Sequence, residues 1–329
     1  MYKLLLVLGL GGVAFANYTN CKMKNENYED VCHRAIKLGV SYSYANEFLL
    51  SREKTKDLDE ESWKYLDPNK ISQLRVNEKR ANNTLLPHVP KIVRHLKKYS
   101  HVYNFTEKEF GVNREIVASI LMKETALGSI KLKHDAFKVC NTIVMKTKAK
   151  TSRQKWLLRM GKSNMAAVIK HCYDLGVKPK ACNLPSSYAG AIGIPQFMPA
   201  SFIYAQGYKN KIPDLNKMED AIVSVSKFLH KKAKFHTLID WEKVRNIAKI
   251  ESDWYDFELK HKNASLVYKV NKRASRPYRC FLCQKKRFSY LLGYAKKIMR
   301  YNNSSNYAIG VLRLGYESYL GLQKGKKYE

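Results

Sequence analysis

Between Val112 and Ser129 the chain runs Val-Asn-Arg-Glu-Ile-Val-Ala-Ser-Ile-Leu-Met-Lys-Glu-Thr-Ala-Leu-Gly-Ser, and this stretch restricts the fold most. Its spacing predicts a helix. Asn113 suits the N-cap, Glu115 places a negative charge in the first turn, and Gly128 provides a stop. Val117, Ile120 and Leu121 form an apolar stripe at helical spacing. Glu124 lies seven, four and three residues beyond them, so it falls on the apolar face. A carboxylate turned toward a core resists ionisation and so keeps its proton to higher pH, the form a general acid requires. The pattern leaves a second reading open: a helix-end glutamate that reaches water or pairs with a lysine.

With 329 residues the chain can bury a large core. It carries 60 Lys and Arg against 28 Asp and Glu, a formal charge of +32. Such a surplus favours anionic partners: nucleic acid, an acidic membrane face or an acidic polymer. The basic residues are spread along the chain and no nucleic-acid-binding motif is visible, so a general surface field is expected and a nucleic-acid partner is not.

Residues 1–16 place Lys3 before the apolar run Leu4–Leu10, and end on Ala14-Phe15-Ala16. This is the pattern of a cleaved secretory signal peptide, too short to span a bilayer comfortably. No lipobox-like Leu-Ala-Gly precedes Cys21, so a soluble exported protein is expected. Seven cysteines follow: Cys21, Cys32, Cys140, Cys172, Cys182, Cys280 and Cys283. In an oxidising compartment some pair and an odd one is left. Proximity suggests Cys21 with Cys32 and Cys172 with Cys182, although sequence does not fix connectivity. Cys280-Phe-Leu-Cys283 has no second metal-binding pair, which leaves a structural disulfide or two buried thiols; no metal and no cofactor are assigned.

The expected architecture is mainly α with minor β (α+β). Residues 17–85 read as an N-terminal helical segment and 86–329 as a catalytic region, with a small irregular or β insertion at about 235–290. Arg80–Pro90, punctuated by Pro87 and Pro90, reads as a loop before a basic amphipathic helix over Ile92–Tyr99. Residues 131–182 are lysine-rich and helical in pattern, with apolar patches at Trp156–Met160 and Met165–Ile169. Ser265-Leu-Val-Tyr-Lys-Val reads as a strand.

Two further stretches carry candidate chemistry. In Ser186–Ser201, the small residues Ala189, Gly190, Ala191 and Gly193 suit a loop whose backbone approaches a ligand closely, or equally a tight helix-to-helix turn. Ser187, Tyr188 and Gln196 supply hydroxyl, phenol and amide groups that match sugar hydroxyls and acetamido groups. Arg300–Val311 contains Asn302 and Tyr307; read alone, it is also a capped helix start with Tyr307 in the core.

Together these stretches resemble the membrane-bound lytic murein transglycosylase B family, of the glycoside hydrolase family 103 type. Glu124-Thr-Ala-Leu-Gly128 is similar to its Glu-Thr-x-x-Gly motif, Ser187–Ser201 to its next motif, and Tyr301–Ala308 to its third. Asp220–Leu229 resembles a family helix in the same order, and Gly39–Ser41 and Ala45–Phe48 weakly echo its N-terminal segment. The resemblance implies an exported, periplasmic bacterial enzyme with a lysozyme-like helical core, here expected as a monomer. It would act on peptidoglycan glycan strands, with peripheral contact to the wall or to an anionic envelope surface. Such enzymes cleave the β-1,4 bond between N-acetylmuramic acid and N-acetylglucosamine without water, leaving a 1,6-anhydro end. Glu124 matches the single catalytic acid/base. Ser187, Gln196, Asn302 and Tyr307 match positions that hold the sugars or support the acid, and Tyr188 is added as a substrate-binding candidate from its side chain. Two departures stand out: Gln206–Asp214 replaces an acidic calcium loop with a basic one, and Phe228 stands where a Tyr is usual. A hydrolytic muramidase and a non-catalytic wall-binding protein are the alternatives, and retention of Glu124 weighs against the latter.

Overall fold

The computed structural model describes residue 21 and residues 23–53, 57–66, 72–210, 212–261, 263–267, 279–284 and 289–326. The leader expected at 1–16, and the expected strand beyond Val267, lie outside the described residues. In chain order the helices are α1 (Glu26–Lys37), α2 (Tyr42–Glu53), α3 (Glu60–Leu66), α4 (Ser72–Leu85), α5 (Val89–Lys98), α6 (Ser100–Phe110) and α7 (Arg114–Thr125). They continue with α8 (Ala136–Lys146), α9 (Ser152–Asp174), α10 (Met218–Lys231), α11 (Ile247–Lys260), α12 (Phe281–Gln284), α13 (Ser289–Ile298) and α14 (Ser305–Lys326).

Among the described residues, regular β structure is limited to two-residue strands. β1 (His134–Asp135) pairs antiparallel with β2 (Pro185–Ser186), and β3 (Ala264–Ser265) pairs parallel with β4 (Arg279–Cys280). Within the described part of the strand expected from Ser265, only Ser265 pairs, and Leu266 and Val267 bend away as buried core residues.

α7 departs from the expected one-sided stripe by being buried almost all round. Glu115 through Met122 and Thr125 are all buried. α14, α5, α10 and α6 pack around it. Ile116, Val117, Ile120 and Leu121 are fully inaccessible, each contributing about 1.5–3 kcal/mol relative to exposure. Its polar groups are satisfied internally: the Ser119 hydroxyl donates to the Glu115 carbonyl at 2.6 Å, and Trp241 Nε1 donates to the Glu115 carboxylate at 3.2 Å. Asn113 occupies the N-cap but does not cap with its side chain. Its amide instead clamps the Ile239 backbone, donating to the carbonyl at 3.1 Å and accepting from the N–H at 2.6 Å.

The expected loop at Arg80–Pro90 is helical. α4 runs to Leu85, a 3-10 turn covers Leu86–His88, and α5 follows at once. Pro87 and Pro90 both fall in the first turn of their helices, where a missing N–H costs nothing.

Two apolar cores result. The larger one surrounds α7 and takes residues from Ile92 through Leu314. The second joins α1 and α2 to α8 and α9. Met165, Ala166, Val168 and Ile169 enter this second core, whereas Trp156 remains 55% exposed. Disulfides Cys21–Cys32 and Cys172–Cys182 lie in it, as expected from proximity, together with the buried free Cys140. Cys280 is also disulfide-bonded.

Candidate active site

Glu124 sits in the last turn of α7, and the geometry of the helix end aims it. Ala126, Leu127 and Gly128 all have left-handed backbone, with φ of 49°, 59° and 80°. The stop therefore comes at Ala126, two residues before the expected Gly128. The Ala126 N–H bonds the Met122 carbonyl at 2.9 Å and the Leu127 N–H bonds the Leu121 carbonyl at 3.1 Å, closing the helix. Lys91 Nζ caps the Ala126 carbonyl at 3.0 Å. Thr125 then fastens the turn sideways, donating through Oγ1 to the Ile194 carbonyl at 2.9 Å.

The Glu124 carboxylate accepts from the Tyr307 hydroxyl at 2.6 Å. Burial dominates its electrostatics and pushes its pKa up to about 7; the Tyr307 hydrogen bond and the nearby Lys123 ammonium act in the opposite direction. Tyr307 is itself buried, and its phenol is held well above the ordinary range by desolvation and then by Glu124, so it stays protonated and donating. Its ring stacks on Tyr301 at 6.5 Å, and the Tyr301 hydroxyl donates to the Pro195 carbonyl. Phe228 packs edge-on to Tyr301 at 5.0 Å, in a wall of rings with Phe197 and Tyr204.

The second stretch forms a folded loop across from α7, not a helix-to-helix turn. Bridges from Ser186 to Ile192 and from Ile192 to Phe197 double it back on itself. Ser187 N–H bonds the Ala191 carbonyl at 2.9 Å, and Ser187 Oγ accepts from the Ala191 N–H at 3.3 Å. Gly193, at φ 71°, packs so tightly on Leu215 that a Cβ would come within 2.4 Å of the Leu215 Cβ. Gln196 also has left-handed backbone, at φ 52°, and its Nε2 donates to the Gly193 carbonyl at 2.9 Å.

These parts enclose a cleft of about 590 Å³. Ser187, Tyr188, Gln196 and Asn302 line it together with Glu124, which brings four of the five expected binding residues around the expected acid. Tyr307 stands behind the carboxylate and does not line the cleft. At the rim, Tyr188 is 42% exposed and its ring lies 5.2 Å from that of Tyr65 on α3. Sequence reasoning missed Lys131 and Lys133, which line the same wall, and Tyr301. It also missed Lys123 and Asn82 beneath the site. Lys123 is visible in the sequence as a charge inside an apolar helix, but Asn82 carries no local signal.

In the segment Gln206–Asp214, one carboxylate holds the loop through backbone contacts. Asp220 accepts from the Tyr208 N–H and the Asp214 N–H, both at 2.8 Å, and the Gln206 N–H donates to Ser224 Oγ at 3.0 Å. Among the described residues there is no group of three or more His, Cys, Asp or Glu able to hold a metal ion. Likewise, no described helix is long and apolar enough to cross a membrane.

A family model described as "Transglycosylase SLT domain" matches residues 24–316. None of the curated proteins compared matches the chain in sequence. Among solved structures, the soluble lytic transglycosylase SltB1 of Pseudomonas aeruginosa is 18% identical with a TM-score of 0.60, the match covering 90% of this chain and 99% of that one. The Escherichia coli lytic transglycosylase Slt35 in complex with bulgecin A is 17% identical with a TM-score of 0.59, covering 93% and 98%. SltB3 of Pseudomonas aeruginosa in complex with NAG-NAM-pentapeptide is 16% identical with a TM-score of 0.55, covering 88% and 78%. At these identities the likeness establishes a shared fold, that of the lysozyme-like lytic transglycosylases.

Proposed function

The chain belongs to the transglycosylase SLT domain family and is a peptidoglycan lytic transglycosylase, and from that premise we propose that Glu124 is its single general acid and base. A glycan strand would lie in the cleft with its scissile β-1,4 bond against Glu124. The protonated carboxyl donates its proton to the glycosidic oxygen as the bond from muramoyl C1 to that oxygen breaks. The muramoyl 6-hydroxyl closes on C1, its proton passes to the Glu124 carboxylate, and a 1,6-anhydro end is left. No water is consumed and the acid is restored.

The observation that carries this reading is a lone, burial-raised carboxyl in a sugar-sized cleft. Glu124 is the one carboxylate among the described residues lining it. A retaining hydrolase that forms a glycosyl-enzyme needs a second carboxylate about 5 Å away. Here the nucleophile belongs to the substrate, and proximity within one sugar replaces it. Ser187, Gln196 and Asn302 would hold sugar hydroxyl and acetamido groups, and Tyr188 with Tyr65 would offer ring faces to a sugar at the rim. Tyr307 would hold the acid in place. Action outside the cytoplasm follows from the substrate. Export to the periplasm by the leader at residues 1–16 is part of the same proposal.

Digestion of purified sacculi followed by mass analysis tests the reaction. Products lighter by one water than lysozyme products from the same wall are expected. Reducing muramic acid ends would instead mean that water reaches C1 and the enzyme is a hydrolase. Glu124→Gln should lose at least about 10² to 10⁴ in rate while still binding glycan. Activity within tenfold of wild type would place the acid elsewhere.

A further inference from the structure

Beneath the cleft, a chain of buried polar groups leads from α11 to the acid. The Tyr255 hydroxyl donates to the Glu251 carboxylate at 3.0 Å, and Asn82 Nδ2 donates to the Tyr255 oxygen at 2.7 Å and to the Asn306 carbonyl at 2.7 Å. The Asn82 oxygen accepts from Lys123 Nζ. That ammonium stands 5.1 Å from the centroid of the Tyr307 ring, whose hydroxyl donates to Glu124. Lys123 shares no ion pair with Glu124 among those within 4 Å in the described residues, although the two are adjacent in sequence. Its position is fixed from below. Asn82 is buried and lies directly over Gly310, where a Cβ would come within 2.1 Å of the Asn82 oxygen. Only a glycine on α14 leaves room for this contact.

A cation set against an aromatic ring draws on its electron density and makes its hydroxyl a stronger donor. A carboxylate newly formed in a desolvated site also gains from a positive charge that water does not screen. We propose that Lys123 is a positioning residue: held by Asn82, it acts across the Tyr307 ring to stabilise the Glu124 carboxylate in the interval between giving its proton and regaining it. The inference rests on the acid/base role of Glu124 proposed above. It supplies, in cationic form, part of the electrostatic support that a second catalytic group would otherwise give.

The groups facing Lys123 fit this role. Glu78 on α4, Glu124 on α7 and Glu251 on α11 are the carboxylates within its field, and burial is the larger influence, drawing the lysine down from its usual range. Around them stand Tyr255 on α11, Tyr307 and Arg313 on α14, and Lys79 over the Tyr255 ring at 4.6 Å. The Ser304 hydroxyl donates to Glu78, which gives that carboxylate a partner of its own.

The test is the high-pH limb of the rate profile on a defined glycan. Activity falls there as Glu124 loses its proton. Removing a neighbouring positive charge disfavours that loss, so the limb should move to higher pH. Lys123→Gln retains a donor for Asn82 without the charge, and its limb should move up by about one pH unit with KM unchanged. Lys123→Arg should leave the limb at the wild-type position. A merely structural lysine would lower kcat in both variants without moving either limb, and that result overturns the proposal. Titration of the Glu124 carboxyl by infrared difference against Glu124→Gln needs no turnover. Its midpoint should rise in Lys123→Gln, or in Lys123→Met if the glutamine variant does not fold, and an unmoved midpoint overturns the proposal equally. Retained activity in Glu124→Gln would instead overturn the acid/base reading itself, so the two failures are distinguishable.

Discussion

At the scale of single residues, the site is held by side chains that work against their own solvation. Glu124 illustrates the sign of the resulting pH dependence. Its pKa is raised from 4.5 to about 7 in the folded state, so between those values the native protein binds more protons than the unfolded chain. Stability from this group is therefore greatest below about pH 4.5 and declines as pH rises through 7, by up to about 3 kcal/mol. Glu124→Gln removes that cost. Its melting temperature should exceed that of wild type at pH 8, and the gap should close at pH 4; equal melting temperatures at both would mean the carboxyl is not buried as described. Gln196 shows the same exchange in backbone form, since a left-handed non-glycine residue costs roughly 1–2 kcal/mol. Gln196→Gly should fold as well as wild type and yet lose turnover, because the amide facing the cleft is gone. Normal turnover in that variant would remove Gln196 from the site. The acid was legible in the sequence because its partners on α7 lie three, four and seven positions away. Lys123 shows in the sequence only as a charge inside an apolar helix and Asn82 not at all, because the residues that give them meaning are Tyr255, Asn306 and Gly310, brought together only by the fold.

At the scale of elements, the site depends on how α7 stops and how the opposing loop is pinned. Thr125 donates to Ile194 while the Ile194 N–H bonds the Leu215 carbonyl at 2.9 Å, so helix end, loop and the segment before α10 form one connected unit. Gly193 sits at its tightest point. Gly193→Ala adds both a strained φ of 71° and a clash with the Leu215 backbone, and should cost at least about 1–3 kcal/mol. Because the displaced loop carries Gln196, turnover should fall further than the melting temperature alone explains. A variant with wild-type stability and kinetics would mean that the loop adjusts freely. Sequence pattern was a good guide to α7, α8 and α9, while α10 was indicated by the family resemblance of Asp220–Leu229. It misread Arg80–Pro90, since proline marks a helix start as readily as a loop, and only packing against α14 distinguishes the two. It also overextended the strand after Ser265, where Leu266 and Val267 are apolar because they enter the main core and not because they pair in a sheet.

At the scale of the whole molecule, Phe202 packs against both cores, and the chain carries a net charge of +32. Lys131 and Lys133 carry that charge onto the cleft wall, while the reacting carboxyl is backed by the Tyr307 hydroxyl, whose ring stacks on Tyr301. The two parts of the protein's electrostatics should therefore answer differently to salt. The surface field acts over distances comparable to the screening length, about 10 Å at 0.1 M, and collapses as salt is raised. Contacts at Glu124 are shorter than that length and partly desolvated, so they change little. Binding to purified sacculi, an extended anionic surface, should weaken steeply between about 0.05 and 0.5 M salt. Cleavage of a short soluble glycan that fills only the cleft should vary by much less over the same range. Measuring both on one preparation separates the contributions. Equal salt sensitivity would mean that the charge acts within the cleft and is not chiefly a docking field. A flat response for both would mean that the basic surface has no part in finding the wall.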